Sequence, residues 1–278
     1  MIEECVEREL VNLGKVEGIS HPELFNKVAY EIAADTLEYV NQHDKMVVPR
    51  SSFYVKYGKR CIDIVVSSLA LIITSHINLI LAVCTFFDVG SPIIFKQERS
   101  GKNGKSFIIV KFRNMTNEMD ENGTLLPPNQ RVTKFGRFVR KTSLDELLNF
   151  WSVFKGDMSL IGPRPLPIEY DERYSKRHKM RYAVKPGLEC PILHRVEHKI
   201  TWADQFENDI YYVEHVSLLL DIKMIFGLVG MVFNKKGTAM RGNAVRGSFM
   251  GYNKDGSSIN SQSVPPQYVE KAVKDMQN

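Results

Sequence analysis

Residues 131–165 read RVTKFGRFVRKTSLDELLNFWSVFKGDMSLIGPRP, and this stretch holds the strongest local signals of the chain. Ser143 and Glu146 have the spacing of a capping box, which predicts that a helix begins here. The helix would have one apolar face, made by side chains at helical spacing: Leu144, Leu147, Leu148, Trp151 and Phe154. Lys155-Gly156 predicts its end, and Gly162-Pro163-Arg164-Pro165 predicts a stiff loop that holds one arginine.

Asp145 and Glu146 fall in the first turn of this predicted helix. Free backbone N–H groups and the helix dipole favour negative charge there, so a structural role explains both acids when the stretch is taken alone. A catalytic role is the alternative, and the rest of the chain decides between the two.

The composition limits the kinds of protein that this chain can be. Its 278 residues allow one domain, with or without appendages, and 44% hydrophobic residues are enough for a core. The net charge of +5 is uneven, because residues 1–50 contain ten acids and five bases. The remaining body is basic and suits anionic partners such as phospholipid, nucleotide phosphates or nucleic acid. The four cysteines form no CxxC pair and two of them lie in an apolar run, which favours a reducing compartment. The acidic N-terminus does not resemble a secretory signal.

Ile64–Phe87 contains no Asp, Glu, Lys or Arg over 24 residues. A bilayer core needs roughly 20 apolar residues, so this run predicts a membrane segment. Lys56, Lys59 and Arg60 precede it, where they can contact anionic headgroups. The polar cluster Thr74–Asn78 lies near its centre and leaves two alternatives open: a spanning helix, or a bent helix that enters and leaves by the same face.

The two ends of the chain differ from its middle. Residues 1–52 predict an acidic helical appendage followed by a linker, with apolar side chains at helical spacing over residues 21–40. That apolar face suggests either a binding surface for a protein partner or a cover on the main domain. Residues 237–278 predict a flexible tail with a short helix at Tyr268–Met276.

The main domain, residues 91–236, begins with a predicted hairpin. Two strands, Pro92–Gln97 and Ser106–Phe112, are joined by a glycine-containing turn. Residues 168–182 predict a highly charged helical region. Helical spacing returns over residues 206–233, and the strongly apolar second half of that stretch can rest on a membrane surface. Three basic side chains lie on or beside the hairpin strands: Arg99, Lys111 and Arg113.

In this order the motifs resemble the bacterial sugar transferase family, the monotopic phosphoglycosyl transferases. The match runs from about Tyr57 to Gly237, and so many ordered motifs argue against chance similarity. It is carried by Lys59-Arg60, Phe95-x-Gln97-x-Arg99-x-Gly101, Lys111-Phe112-Arg113-x-Met115, Thr142–Leu147, Lys155–Ser159, Gly162–Pro165, Lys185-Pro186-Gly187, Trp202 with Phe206, and Asp209-x-Tyr211-Tyr212-Val213 with Ser217 and Asp221.

The resemblance implies transfer of a sugar 1-phosphate from a UDP-sugar to polyprenyl phosphate, with release of UMP, as the initiating step of polysaccharide or glycoconjugate assembly. It implies an α+β fold that is mainly helical, with a small antiparallel hairpin and interfacial helices. Residues 53–90 would form a re-entrant membrane helix. The catalytic domain, residues 91–236, would then face the cytoplasm from the inner membrane.

In the family an acidic dyad does the chemistry, and here it falls on Asp145 and Glu146. Asp145 would be the nucleophile, because a carboxylate is ionised at neutral pH and needs no base to activate it. Glu146 would bind Mg²⁺, which prefers one or two carboxylates plus phosphate oxygens. Arg164, held between two prolines, would contact a substrate phosphate. Four further bases are open between phosphate or headgroup contact and structural pairing: Lys59, Arg99, Lys111 and Arg113.

The chain departs from the family pattern in two places. The membrane helix usually bends at a Ser-Pro pair, whereas this chain has Ser75-His76, and the missing proline weakens the kink. After Pro186-Gly187 the family's Thr-Gly and Gln-Val are absent from residues 188–195, so the donor preference is open. His194 and His198 have helical spacing for a metal but no third ligand, and a surface role is the better interpretation.

Two other classes of function compete with the enzyme. A catalytically impaired relative that acts as a membrane scaffold through residues 1–50 is the alternative, favoured by the altered 188–195 run. Nucleic-acid binding is not expected, because the basic charge lies beside a membrane segment and the chain has no recognised binding motif.

Overall fold

The computed structural model describes residues 21–121, 125–126, 128–192, 200–233 and 247–277. Within these residues the fold is mainly helical α+β with small sheets, which confirms the predicted class. Three predicted features lie outside the described residues: residues 1–20 of the appendage, the His194–His198 pair and residues 237–246 of the tail.

Helices of seven residues or more are, in chain order, α1 His21–His43, α2 Lys59–Val89, α3 Lys134–Thr142, α4 Asn149–Lys155, α5 Trp202–His215, α6 Leu218–Phe233 and α7 Pro266–Gln277. Shorter helical turns are Tyr54–Gly58, Lys102–Gly104, Pro128–Arg131, Leu144–Glu146, Ile168–Arg173, Lys176–Lys179 and Met180–Ala183. Antiparallel pairs are β1 Ile94–Ser100 with β2 Ser106–Phe112 and β5 Phe249–Tyr252 with β6 Ser258–Asn260, and the parallel pair is β3 Ser159–Ile161 with β4 Gly187–Glu189.

The predicted membrane segment is one long apolar helix. Tyr54–Val89 is long and apolar enough to cross a membrane, with a mean hydropathy of 2.1 over 18 residues, of which 11% is buried within the protein. The central polar side chains bond inside the helix: Thr74 Oγ1 donates to the Ala70 carbonyl at 2.8 Å, and Ser75 Oγ donates to the Ile72 carbonyl at 2.7 Å. Helix α2 is therefore continuous through the polar cluster.

Both ends of α2 are bonded to the same folded domain. Near its start, Arg60 donates to the Val153 and Phe154 carbonyls at 2.7 and 2.6 Å, where α4 ends. Asp63 Oδ1 accepts bonds from Ser159 Oγ at 2.9 Å and from the following backbone N–H at 3.0 Å. Near its end, Asp88 Oδ2 accepts a 2.6 Å bond from a threonine at the start of α3.

The two proline-glycine motifs meet through the parallel pair β3–β4. Ser159 pairs with Gly187, and the Gly187 N–H donates to the Pro163 carbonyl at 3.0 Å. A Cβ on Gly187 would lie 2.1 Å from the Gly162 nitrogen, so the two backbones approach too closely for any side chain there. The loop Gly162–Pro165 is thereby fixed against the start of β4.

The capping box predicted at Ser143 is wrong. Ser143 has φ 57°, in the left-handed region, and its N–H bonds back to the Arg140 carbonyl at 3.2 Å. It therefore ends α3 instead of starting a helix, because the C-terminal position of a helix commonly takes this conformation. A single 3₁₀ turn, Leu144–Glu146, follows, and α4 begins only at Asn149.

The charged stretch 168–182, predicted as a helical region, consists of three short helical turns. Tyr174 breaks the stretch with extended backbone, φ −78° and ψ 138°. Two charged side chains point inward here. Arg173 and Arg181 are 4% and 2% exposed, and they donate hydrogen bonds to the Phe249 carbonyl and to Asp209. A helix with one solvated face could not bury them in these directions.

The two ends of the chain pack on each other, which corrects the prediction of a flexible tail for residues 247–277. The apolar face of α1 is buried against β5, β6 and α7 by Leu24, Phe25, Val28, Ala29, Ile32, Met250, Ile259, Tyr268 and Ala272. The short helix predicted at Tyr268–Met276 is found as α7. The apolar face of α1 is thus covered within the chain, which favours the predicted cover over the binding surface for a protein partner.

Candidate active site

A cavity of about 460 Å³ lies between the hairpin, the turn Leu144–Glu146 and the loop Gly162–Pro165. Among the predicted site residues, the cavity brings together Arg99, Lys111, Arg113, Asp145, Glu146 and Arg164. Apolar and aromatic side chains complete its wall, among them Phe95, Leu166, Tyr170, Leu188 and Trp202.

Asp145 is a buried carboxylate whose hydrogen-bond partner is an amide. It is 4% exposed, and Asn114 Nδ2 donates to its Oδ2 at 3.2 Å. Burial, and then the neighbouring negative charge of Glu146, raise its pKa to about 6 against the smaller lowering effects of Lys111 and Arg140. Asp145 is therefore ionised at neutral pH, and its side chain is held by a neutral donor.

Glu146 has the opposite electrostatic environment. Its Oε1 accepts 2.7 Å bonds from both Lys111 Nζ and Arg164 Nη2. Burial opposes its ionisation, but the charges of Arg164 and Lys111 and their hydrogen bonds outweigh burial and hold its pKa at about 2. Two adjacent acids are thus pushed to opposite sides of their ordinary pKa, an arrangement found at functional sites.

Arg164 is fixed in place from two sides. Besides Glu146 it contacts Glu189 Oε2 at 3.5 Å and donates to the Leu188 carbonyl at 3.2 Å. The charges of Glu146 and then Glu189 raise its pKa, so the guanidinium stays charged. Glu189 and Leu188 belong to the run that departs from the family pattern, and they still support the predicted phosphate-binding arginine.

Arg99 offers unused hydrogen-bond donors in the cavity. It is 8% exposed, its Nη2 donates to Gln97 Oε1 at 2.5 Å, and its Nε and Nη1 have no hydrogen-bond partner among the described residues. Burial, and then the nearby charge of Arg164, lower its pKa to about 10, so it remains charged at neutral pH. A buried guanidinium with unpaired donors is suited to an anionic group of a ligand.

Arg113 and Lys59 each have a structural partner. Arg113 lines the cavity and donates through Nη2 to the Val89 and Gly90 carbonyls at the C-terminus of α2, where a cation complements the helix dipole, while its Nε and Nη1 have no hydrogen-bond partner among the described residues. Lys59 lies outside the cavity and forms a 2.6 Å ion pair with Asp221 of α6. For Lys59 the structural pairing is the alternative that the geometry supports.

Sequence reasoning missed Asn114 and Arg140, which connect α3 to the dyad. Arg140 Nε donates to Asn114 Oδ1 at 2.8 Å, and the Asn114 amide then donates to Asp145. A Cβ on Gly136 would lie 2.1 Å from the Asn114 carbonyl oxygen, so this glycine lets Asn114 approach α3. Asn114 directly follows the Lys111–Arg113 motif, and that position was the one available signal.

The donor set for a metal is small. The described residues contain no group of three or more His, Cys, Asp or Glu side chains that could hold an ion. Mg²⁺ needs only one or two protein carboxylates when substrate phosphates supply further oxygens, and Glu146 with Asp145 beside it fits that mode. One oxygen of Glu146 already accepts two cationic donors, so its other oxygen, Oε2, is the ligand that it can offer.

These features define the class of protein: an enzyme with a long apolar helix, whose adjacent carboxylates and cationic wall suit a phosphorylated substrate. The model of the family described as bacterial sugar transferase matches residues 54–235. That region contains α2, the hairpin, the dyad and the loop Gly162–Pro165. The chain therefore belongs to the bacterial sugar transferase family.

Individual relatives agree with this assignment. The chain is 39% identical over 193 residues to the uncharacterized sugar transferase EpsL of Bacillus subtilis (strain 168), which covers 69% of this chain and 96% of that protein. It is 39% identical over 184 residues to the UDP-glucose:undecaprenyl-phosphate glucose-1-phosphate transferase of Klebsiella pneumoniae, covering 60% of this chain and 38% of the relative. It is 34% identical over 179 residues to the UDP-N-acetylgalactosamine-undecaprenyl-phosphate N-acetylgalactosaminephosphotransferase of Aeromonas hydrophila, covering 60% and 42%. The chain thus spans less than half the length of the last two relatives.

Proposed function

We propose that this protein transfers a sugar 1-phosphate from a UDP-sugar to polyprenyl phosphate and releases UMP, as the initiating step of polysaccharide or glycoconjugate assembly. Relatives from two other bacteria are named for such transfers to undecaprenyl phosphate. The observation that carries the proposal is the dyad, in which Glu146 takes the cations and Asp145 is left as a buried carboxylate held by a neutral amide.

Asp145 is the nucleophile in this proposal. One of its carboxylate oxygens attacks the sugar-linked phosphorus, the bond from that phosphorus to the UMP oxygen breaks, and UMP leaves. A phosphate oxygen of polyprenyl phosphate then attacks the same phosphorus, and the bond to Asp145 breaks. The second step yields polyprenyl diphosphate sugar and restores the free carboxylate. Asn114 orients Asp145 in both steps, as the attacking group in the first and the leaving group in the second.

The basic residues neutralise and position the diphosphate, which is the main protein contribution to phosphoryl transfer. Arg99 contributes its unpaired donors, and Lys111 and Arg164 carry positive charge beside the dyad. Mg²⁺ held by Glu146 would supply further charge neutralisation. Arg113 lies at the cavity edge as the cap of α2.

The membrane helix is re-entrant in this proposal, so that both its ends and the catalytic domain lie on the cytoplasmic face. The support is that residues near both ends of α2 bond to one folded domain. Because both ends of the helix are bonded to one domain, the helix can reach the lipid acceptor while that domain stays on one side of the membrane.

An assay of both products tests the enzyme. Purified protein in nanodiscs receives polyprenyl phosphate and each member of a panel of radiolabelled UDP-sugars, and lipid-linked sugar and UMP are quantified. Active protein yields both products with at least one donor. Release of no UMP from any donor overturns the proposed function and favours the alternative, a membrane scaffold.

Asp145→Asn tests the nucleophile. With a donor labelled in the sugar-linked phosphate and no acceptor, wild-type protein should retain label and the variant should not. The matched control is Asp157→Asn, because Asp157 forms a half-exposed ion pair with Lys155 and lies outside the cavity. Full turnover by Asp145→Asn with normal expression would rule out this assignment.

A further inference from the structure

One face of the hairpin β1–β2 forms a side of the cavity. Alternate residues of a strand point to the same face, and the antiparallel register places Phe95 opposite Lys111. The Arg113 N–H donates to the Ile93 carbonyl at 2.9 Å, so the pairing continues one step past β2. The alternate residues that line the cavity are Phe95, Gln97, Arg99, Ile109, Lys111 and Arg113.

The three cations of this face follow one another in a fixed order. Lys111 lies in the middle, where its ammonium bonds to Glu146. At about 3.4 Å per residue, Arg113 lies about 7 Å along the strand on one side of Lys111. Phe107, which pairs with Arg99, lies about 14 Å along the strand on the other side. The dyad is therefore flanked by an arginine at each end of the hairpin face.

Arg113 lies at the end of the hairpin that joins α2. Its Nη2 donates to the carbonyls of Val89, the last residue of the long apolar helix, and of Gly90, which follows it. Its Nε and Nη1 are buried and have no hydrogen-bond partner among the described residues. Because buried donors in proteins are normally paired, these two donors suit the oxygens of an anionic group that enters the cavity.

The same end of the hairpin carries exposed apolar side chains. Phe95 lines the cavity and is 46% exposed, and Phe86 and Phe87 near the end of α2 are 53% and 81% exposed. A cation beside exposed apolar surface at the end of an apolar helix suits the phosphate of a lipid. Arg99 lies at the opposite end of the hairpin face, where its backbone forms a bridge with Pro167.

We infer that Arg113 binds the phosphate of the lipid acceptor, whereas Arg99 binds the diphosphate of the nucleotide donor. The inference rests on the proposed function for the identity of the two substrates. UMP leaves before the lipid reacts, so the nucleotide approaches Asp145 from the Arg99 end and the lipid approaches it later from the α2 end. In the second step one oxygen of the lipid phosphate bonds to the phosphorus and the bond from that phosphorus to Asp145 breaks. Arg113 holds another oxygen of the same lipid phosphate.

Separate kinetic constants for the two substrates test the inference. When the first product leaves before the second substrate reacts, kcat/KM for the donor reports on the first step and kcat/KM for the acceptor on the second. The protein is assayed in nanodiscs of phosphatidylcholine, so that polyprenyl phosphate is the only anionic lipid present. Arg113→Met should lower kcat/KM for polyprenyl phosphate about tenfold or more and leave kcat/KM for the UDP-sugar within about twofold. Arg99→Met should show the reverse.

Two further variants separate phosphate binding from the loss of a contact at the end of α2. Arg113→Lys keeps the positive charge and should recover part of kcat/KM for the acceptor, and it carries the comparison if Arg113→Met does not fold. Asp88→Ala is the matched control, because it removes the hydrogen bond between Asp88 and Thr133 near the end of α2, outside the cavity. This control should leave both kcat/KM values within about twofold.

Each outcome decides the matter. A loss in Arg113→Met that is confined to the acceptor supports the inference. Equal losses for both substrates, a loss confined to the donor, no change for either substrate, or the same loss in Asp88→Ala overturns the inference and leaves the proposed function standing. Absence of lipid-linked product from the wild-type protein with every donor overturns the proposed function itself.

Discussion

At the scale of single residues, the site depends on two adjacent acids that differ in their partners. Asp145 faces an amide and is destabilised by burial, while Glu146 faces Lys111 and Arg164 and is stabilised by them. A buried charge without an ionic partner reduces the stability of the fold. Such a destabilised group is typical of a functional site.

Asp145→Asn should therefore stabilise the metal-free protein while abolishing turnover. The rise of the Asp145 pKa from 3.8 to about 6 corresponds to a cost of about 3 kcal/mol at pH 7. In the unfolded chain the acid ionises near 3.8, so the folded state binds more protons between pH 4 and 6. The stability gap between variant and wild type should consequently open as the pH rises through that window. Thermal unfolding in the presence of a chelator measures it.

Glu146→Gln is the control, because its expected change in stability has the opposite sign. The pKa of Glu146 is held at about 2, so its charge stabilises the fold above its ordinary pKa of 4.5, and this stabilisation is lost as the pH falls towards 2. The glutamine variant leaves Lys111 and Arg164 without their carboxylate and should unfold at a lower temperature than wild type at pH 7. Equal shifts in the two variants would contradict this account of the dyad.

Arg99→Met should weaken donor binding with little loss of stability. Two of the guanidinium donors are buried and unpaired among the described residues, so their removal leaves few partners unsatisfied. We expect KM for the UDP-sugar to rise about tenfold or more, as for the loss of a charge-assisted bond to phosphate. The matched control is Lys96→Gln, which removes an exposed positive charge from the same strand. A similar KM change in both variants would argue for a general charge effect.

At the scale of elements, the close approach of β3 and β4 positions the phosphate-binding loop. Gly187→Ala would place a Cβ 2.1 Å from the Gly162 nitrogen, and the strands must separate. Arg164 belongs to the loop Gly162–Pro165, which this close approach holds in place. The variant should therefore lose both stability and turnover. The control Gly104→Asn has open space and a φ of +70° that asparagine tolerates, so it should be nearly neutral. Unfolding temperature and product formation are measured together for both.

A second element-scale contact joins the membrane helix to α6. Asp221 is 5% exposed and accepts bonds from Tyr54 at 2.5 Å, Lys59 at 2.6 Å and Tyr212 at 2.7 Å. Asp221→Asn leaves the Lys59 ammonium without its carboxylate and should cost about 3 kcal/mol of unfolding free energy. Denaturant unfolding in detergent measures the change, with Asp157→Asn as the control at a half-exposed ion pair. A cost below that of the control would contradict the role of Asp221 as an anchor.

At the scale of the whole molecule, the proposed re-entrant helix places both flanks of α2 on one side of the membrane. Met46, which is 88% exposed, precedes α2, and the exposed Lys96 follows it. In a background without the four native cysteines, cysteine at either position should react with an impermeant maleimide in inverted vesicles and be protected in right-side-out vesicles. Labelling of the two positions from opposite sides would establish a spanning helix.

The sequence by itself determined the features that depend on local pattern. An uncharged run of 24 residues is sufficient to predict the apolar helix, and two short strand-like runs joined by a glycine-containing turn are sufficient for the hairpin. The order of the motifs, including the dyad and the loop Gly162–Pro165, was sufficient to identify the family. These signals depend only on residues that are close in sequence, so they can be interpreted before any distant contact is known.

The tertiary structure alone decided which distant residues meet. It assigned the cations to Glu146 instead of Asp145, paired Lys59 with Asp221, and covered the apolar face of α1 with residues more than 200 positions away. It also turned Ser143 from a predicted helix start into a left-handed helix end. Periodicity and composition encode which faces are buried but not what buries them, because a hydrogen bond or an ion pair is set by the three-dimensional approach of both partners.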